Sequence, residues 1–242
     1  MKAYMVSRAY RFLEVDEDHR VIFADFRDVE MAGEADLIFA DPPFGIEFGG
    51  NLNTYNRTPD ALDYVEVDRV DYPNFIKDLV EWSYKTLKPN GCMWLLSGWN
   101  NLRWVLDAVE DVGFHQINHC IWHYQFGVFT KRRFTTSHYH LLLLAKNPKK
   151  YTFNKPTHYA EDVWLIKRRY QRGVKTAGNE LPEELVERCI LTSTNKGDLV
   201  VDPVLGSGTT MKVCLALKRR CIGIEVNMAL KERIVEKLNL IK

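Results

Sequence analysis

The feature that most constrains this chain is a repeated exchange between two hydrophobic periods. Short apolar runs at 21–25, 36–40, 92–97, 199–202 and 221–225 alternate with stretches whose apolar residues recur every three or four positions, such as Ile76, Val80, Tyr84 and Leu87, or Leu102, Val105, Leu106 and Val109. The first pattern fits strands buried on both faces, the second helices with one apolar stripe. Strands that alternate with helices build βαβ units. The expected fold class is therefore α/β, a Rossmann-like sheet that is mainly parallel. The Pro89-Asn90-Gly91 turn is expected to end the first helix and Gly113 the second. Two later runs, 117–124 and 138–145, have no helical period between them and predict an antiparallel hairpin at the edge of the sheet, with Lys131, Arg132 and Arg133 in its long tip. A helix over 183–191 leads back into the sheet.

At 242 residues and 46% hydrophobic, the chain can bury a substantial core, and we expect a single domain over 1–242. Segment 146–180, polar, basic and irregular, reads as a small insertion outside the sheet. No apolar stretch approaches the ~20 residues that span a bilayer, and the N-terminus lacks an uninterrupted hydrophobic signal core. These absences lead us to expect a soluble, cytoplasmic protein with no membrane partner. Cys92, Cys120, Cys189, Cys214 and Cys221 are scattered in apolar segments, as buried reduced thiols would be. No metal site is expected. His138 and His140 alternate on a strand and read as surface or substrate-facing residues rather than ligands.

The net charge of +1 conceals an asymmetry. Between Gln125 and Glu180 stand twelve basic residues against three acidic ones, a local net charge of +9. Alone, such a run reads equally well as a solvated face. Beside a site that modifies a nucleic-acid base it is the expected phosphate-contacting surface, with Lys131, Arg132, Arg133, Lys167, Arg168, Arg169 and Arg172 as its candidates. The polar stretches 45–71 and 146–180 are too long for tight turns and read as functional or disordered loops.

Two motifs carry chemistry, each directly after an apolar strand. Asp41-Pro42-Pro43-Phe44 stands at the carboxyl end of its strand, where open α/β sheets bind ligands. The exocyclic amine of a base is a poor nucleophile, because its lone pair is delocalised into the ring. An acceptor aimed at each of its two hydrogens would localise that pair. The Asp41 carboxylate and the Pro42 carbonyl can serve, held in place by consecutive prolines. Phe44 offers a face on which a base turned out of its duplex could stack. The bland alternative is a rigid turn with a solvent-exposed acid.

The second motif, Asp202-Pro203-Val204-Leu205-Gly206-Ser207-Gly208-Thr209-Thr210, precedes a helix expected to begin near Thr209. Its glycines permit close backbone approach, and the N–H groups of the helix start can bind an anion. A nucleoside triphosphate loop would need Lys where Thr209 stands. About 20 residues on, Glu225 ends a strand, where doubly wound folds place an acid on ribose hydroxyls.

With these two motifs in this order, the chain resembles the prokaryotic DNA amino-methyltransferases of the β class, in which a DPPY-like motif comes first, a basic target-recognition region follows and the glycine-rich cofactor motif comes last, a circularly permuted order. The resemblance runs from the strand ending at Asp25 through DPPF, the LKPNG turn and the basic insertion to DPVLGSGTT and GIE. It implies that Asp41, Pro42, Pro43 and Phe44 are catalytic or base-binding. It also implies that Asp202, Gly206, Gly208, Thr209 and Glu225 contact S-adenosylmethionine, with Asp25 near the cofactor's adenine. The implied reaction is direct methyl transfer to N6 of a flipped adenine in DNA. N4 of cytosine is the nearest alternative; because the family tends to use Ser in place of the first Asp for that base, Asp41 favours adenine. RNA or protein-glutamine amino-methylation and a non-catalytic nucleic-acid-binding module are further alternatives. A homodimer and a partner restriction endonuclease stand open as partners. Val204 departs from the family's usual Phe, Leu181-Pro182 from its Lys-Pro step, and the recognition insertion is short.

Overall fold

The computed structural model describes residues 10–45, 67–125, 127, 130–168 and 180–239. In chain order its elements are β1 (Arg11–Glu14), β2 (His19–Phe23), β3 (Ala35–Ala40), α1 (Tyr72–Thr86), β4 (Leu87–Ser97), α2 (Leu102–Val112), β5 (His115–His123), β6 (His138–Ala145), β7 (Val163–Leu165), α3 (Glu183–Ser193), β8 (Leu199–Asp202), α4 (Thr209–Leu217), β9 (Arg220–Glu225) and α5 (Lys231–Lys237). The strands form one sheet in the order β1-β2-β9-β8-β3-β4-β6-β5-β7. The run from β2 to β4 is parallel throughout, and β5 and β6 form the expected antiparallel hairpin.

Side-chain alternation explains why the central runs are apolar on both faces. On β4, Cys92, Trp94 and Leu96 point into one core with Leu185, Val186 and Ile190 of α3, Met211 and Cys214 of α4, and Ile234 of α5. Met93 and Leu95 point the other way, to Ile76, Leu79 and Val80 of α1 and Val105 and Val109 of α2. The period of two on the strands and the stripe on each helix together produce a helix-sheet-helix sandwich. All five cysteines are buried and unpaired. Among the described residues, no helix is long and apolar enough to cross a membrane.

Three expectations need correction. The hairpin does not form the edge of the sheet, because β7 pairs parallel to β5 outside it through Ile121 and Val163, Trp122 and Trp164, and His123 and Leu165. Segment 146–180 is therefore not wholly outside the sheet: Trp164 drives three of its residues onto the edge by burying an indole beside Trp94. Nor does Pro89-Asn90-Gly91 end α1. The helix stops at Thr86, and those three residues form an irregularity inside β4, between the pairs Ala35 with Leu87 and Leu37 with Cys92. A Cβ on Gly91 would lie 3.0 Å from the Ala35 carbonyl oxygen, a tight approach that favours glycine at the irregularity. Gly113 does end α2, in the left-handed conformation at φ 89°.

Candidate active site

The register of two neighbouring strands brings the motifs together. Leu37 and Ile38 on β3 pair in parallel with Val200 and Val201 on β8. The chain leaves β3 at Asp41 and β8 at Asp202 on the same edge of the sheet, 161 positions apart in sequence. β9 lies on the other side of β8, where Asp202 pairs with Gly223 and Glu225 ends the strand. Sheet order thus gathers three carboxylates at one sheet edge.

Asp202 and Glu225 are buried, and Asp41 is partly buried. Burial pushes the Asp41 carboxyl up to about 7, the adjacent Asp202 carboxylate adds to the rise, and the Arg168 guanidinium opposes it. Burial likewise raises Asp202 to about 7; Thr210 and the Val204 N–H resist this, and Glu225 contributes to it. Glu225 is itself raised by burial, against hydrogen bonds from the backbone N–H groups of Asn227, Gly206 and Val226. Asp41 and Asp202 thus stand near enough for each to disfavour the other's charge.

Around the first motif, Asn101 holds the backbone after the prolines. Its Nδ2 donates to the Phe44 carbonyl at 2.7 Å and the Gly45 carbonyl at 3.0 Å. Asn101 also stands at the N-terminus of α2, yet its side chain makes no capping bond there. Phe44 packs edge-on against Tyr139 of β6 with ring centroids 5.0 Å apart. A Cβ on Gly98 would meet the Phe44 ring at 3.3 Å. Asn101→Ala should leave two buried carbonyls without their donor, lowering turnover about tenfold and stability by about 1–2 kcal/mol while cofactor affinity stays unchanged. Single-turnover rates beside calorimetric titration of the cofactor would check it.

The second motif forms a turn whose glycines are required by conformation. Gly206 (φ 56°) and Gly208 (φ 89°) are both left-handed, and a Cβ on Gly206 would point into open space, meeting only the Val204 carbonyl oxygen at 3.9 Å. The cradle therefore has room for a ligand against its backbone. The Gly206 N–H donates to Glu225 Oε2 at 2.7 Å, and the Asn227 N–H to Glu225 Oε1 at 2.7 Å, so this acid fixes the turn as well as facing the cleft. α4 begins at Thr209 as expected. Lys237 donates to Ser207 Oγ at 2.6 Å and Thr209 Oγ1 at 3.0 Å, and its Nζ lies 3.0 Å from Glu180 Oε2.

The remaining candidates lie apart from these two turns or at their margins. Asp25 comes two residues after Phe23, which pairs with Glu225 across β2 and β9, and its carboxylate is bound by Arg27 through Nε at 2.9 Å and Nη2 at 2.6 Å. Lys131, Arg132, Arg133 and Lys167 are exposed, and Phe134 beside them is 97% exposed. Arg168 is not on that surface. Its guanidinium lies 4.0 Å from the Tyr124 ring centroid, 4.9 Å from Tyr139 and 5.4 Å from Trp122. Arg169 and Arg172 lie outside the described residues. His140 Nδ1 is 2.7 Å from His119 Nε2, and burial, with His119 and His138 nearby, pushes His140 down to about 4.

The sequence reading missed Asn101, Lys237 and the aromatic wall of Trp122, Tyr124 and Tyr139. The wall had a signal in the alternation Cys120, Trp122, Tyr124, along β5 and one residue past its end, which places both rings on one side.

A doubly wound sheet with the two motifs at adjacent strand ends defines a methyltransferase-type α/β fold. Residues 35–237 match the N6/N4 methylase family, described as DNA methylase. The chain belongs to this family of DNA amino-methyltransferases. It is 31% identical to the type II methyltransferase M.HpaI of Haemophilus parainfluenzae, over 84% of this chain and 68% of that one. It is 32% identical to the type II methyltransferase M2.DpnII of Streptococcus pneumoniae, over 78% and 77%. Among solved structures, the fold resembles the M1.HpyAVI-SAM complex (TM-score 0.68, 23% identity, 91% of this chain and 99% of that one). It also resembles the cytosine-N4-specific PvuII DNA methyltransferase (TM-score 0.70, 17% identity, 92% of each).

Proposed function

We propose that this protein methylates N6 of adenine in DNA, on a base turned out of the duplex. The observation that supports this reading is the β3–β8 register, by which Asp41-Pro42-Pro43-Phe44 and the Asp202–Thr209 turn follow neighbouring parallel strands. The cofactor is S-adenosylmethionine, which supplies an electrophilic methyl group on a sulfonium centre. The residues fit it. Gly206 leaves open space against the backbone, the α4 N-terminus favours a carboxylate, and the buried acids Asp202 and Glu225 favour a cationic ligand with ribose hydroxyls.

On the substrate side, Asp41 and the Pro42 carbonyl accept from the two amine hydrogens and so raise electron density on the nitrogen. With the cofactor bound, that nitrogen would take the sulfonium methyl, releasing the thioether, and the surplus proton would leave to solvent. Phe44 and Tyr139 give the base an aromatic wall. The exposed Lys131, Arg132, Arg133 and Lys167 supply phosphate contacts. Asp41 in the first position of the motif supports adenine over cytosine. The resemblance to a cytosine-N4-specific enzyme keeps N4 of cytosine as the second reading. The names of the type II relatives support a place in restriction-modification; on the same reading the protein works in the cytoplasm, beside a partner endonuclease, as a homodimer that widens a small basic footprint. Incubation with S-adenosylmethionine and mixed-sequence DNA or RNA, followed by nucleoside mass analysis, tests the base and the polymer together. N6-methyldeoxyadenosine is the expected product; N4-methyldeoxycytidine would transfer the assignment to the second reading, and a methylated ribonucleoside alone would overturn DNA as the substrate.

A further inference from the structure

We propose that Arg168 is a gate on the base pocket: its guanidinium occupies, in the DNA-free protein, the place on the Tyr124 and Tyr139 wall where the target base stacks, and base entry exchanges one planar partner for the other. The inference rests on the reading above that the base enters beside Phe44. The pocket wall is continuous: Phe44 meets Tyr139 at 5.0 Å, Tyr139 meets Tyr124 at 5.4 Å and Trp122 at 5.6 Å. Arg168 lies over all three rings of the β5–β6 part of that wall. A guanidinium is flat, delocalised and weakly hydrated, and it stacks on aromatic faces much as a nucleobase does.

Two further features mark this placement as one the side chain can leave. Arg168 Nε is buried yet has no hydrogen-bond partner among the described residues. A buried N–H without an acceptor is costly, and a DNA phosphate would satisfy it outside the pocket. Arg168 also directly follows the exposed Lys167, two residues beyond the last pairing of edge strand β7, so a change of its rotamer disturbs no sheet bond. The same cation that blocks the empty pocket is thus positioned to contact the backbone of the DNA whose base displaces it.

The test uses adenosine as a probe of the vacant pocket, titrated into protein saturated with S-adenosylhomocysteine so that the cofactor cradle is closed to it. Arg168→Ala should bind adenosine about tenfold more tightly than the parent protein, and Arg168→Gln, which keeps much of the packing without the charge, should also gain. Adding Tyr139→Ala should remove the gain. S-adenosylhomocysteine affinity within twofold of the parent would certify the fold of each variant; if Arg168→Ala fails that check, Arg168→Gln decides alone. Unchanged or weaker adenosine binding in a folded variant would overturn the gate. Nucleoside mass analysis separates this from the function itself: a gain in adenosine binding without DNA methylation by the parent protein would defeat the functional reading only, and methylation without a gain would defeat the gate only.

Discussion

Replacing Asp41 with alanine is expected to lower the methyl-transfer rate by about three orders of magnitude while leaving S-adenosylmethionine affinity within a few fold of the parent value. The split follows from where the side chain stands. Asp41 leaves β3 on the far side of β8 from the β9 end that carries Glu225, and neither Gly206 nor Gly208 depends on it for a hydrogen bond. Its loss removes an acceptor for the amine without opening the cofactor turn. Asp41→Asn sharpens the test, because it keeps shape and volume but places a neutral amide where an anion is needed. It should lose nearly as much activity. Single-turnover methylation with saturating DNA and cofactor, run beside calorimetric cofactor binding, reads both quantities. A variant that retains activity would remove Asp41 from the chemistry, and one that loses cofactor binding as well would assign it to the wrong half of the cleft.

How far the sequence disclosed this site depended on the kind of signal each residue gives. The strand-terminal positions of Asp41, Asp202 and Glu225 were legible because a buried parallel strand is a run of apolar residues, and its end is where polarity resumes. Their convergence was not legible. It depends on β3 and β8 being neighbours, a pairing of strands that local periodicity does not encode. The edge strand β7 escaped because three residues are too few to establish a period, and Trp164 alone anchors them. Arg168 was counted as one more positive charge in a basic segment. A charge count cannot tell a guanidinium that faces solvent from one that stacks on Tyr124. Asn101 gave no signal of its own, because its bonds to Phe44 and Gly45 cross 56 or 57 positions of sequence. Asp25 was read as a neighbour of the cofactor's adenine, and nothing in the sequence signalled that a partner two residues away, Arg27, binds its carboxylate.

The raised carboxyl groups predict that activity and stability respond to pH in opposite directions. Asp41 must be ionised to accept from the amine, and burial, with Asp202 beside it, holds its carboxyl at about 7. Turnover should therefore be level above pH 7 and fall about tenfold for each pH unit below it. For stability the sign reverses. A carboxyl whose folded value lies above its unfolded value near 3.8 binds protons more readily in the folded protein. The stability it contributes is complete below the unfolded value and is lost as pH rises through about 7. By pH 8, burying this charge costs the ligand-free protein at most about 4 kcal/mol. Asp41→Asn abolishes that cost, so the inactive variant should melt several degrees higher than the parent at pH 8, at roughly 2–4 °C per kcal/mol for a chain of this size. The difference should narrow steadily towards pH 5, where the parent's own Asp41 is protonated in the folded state. Melting curves of both proteins across pH 5 to 8 measure it. Parallel curves would mean that Asp41 is not held in a dry cleft beside Asp202, and the electrostatic link between the two motifs would fail with it.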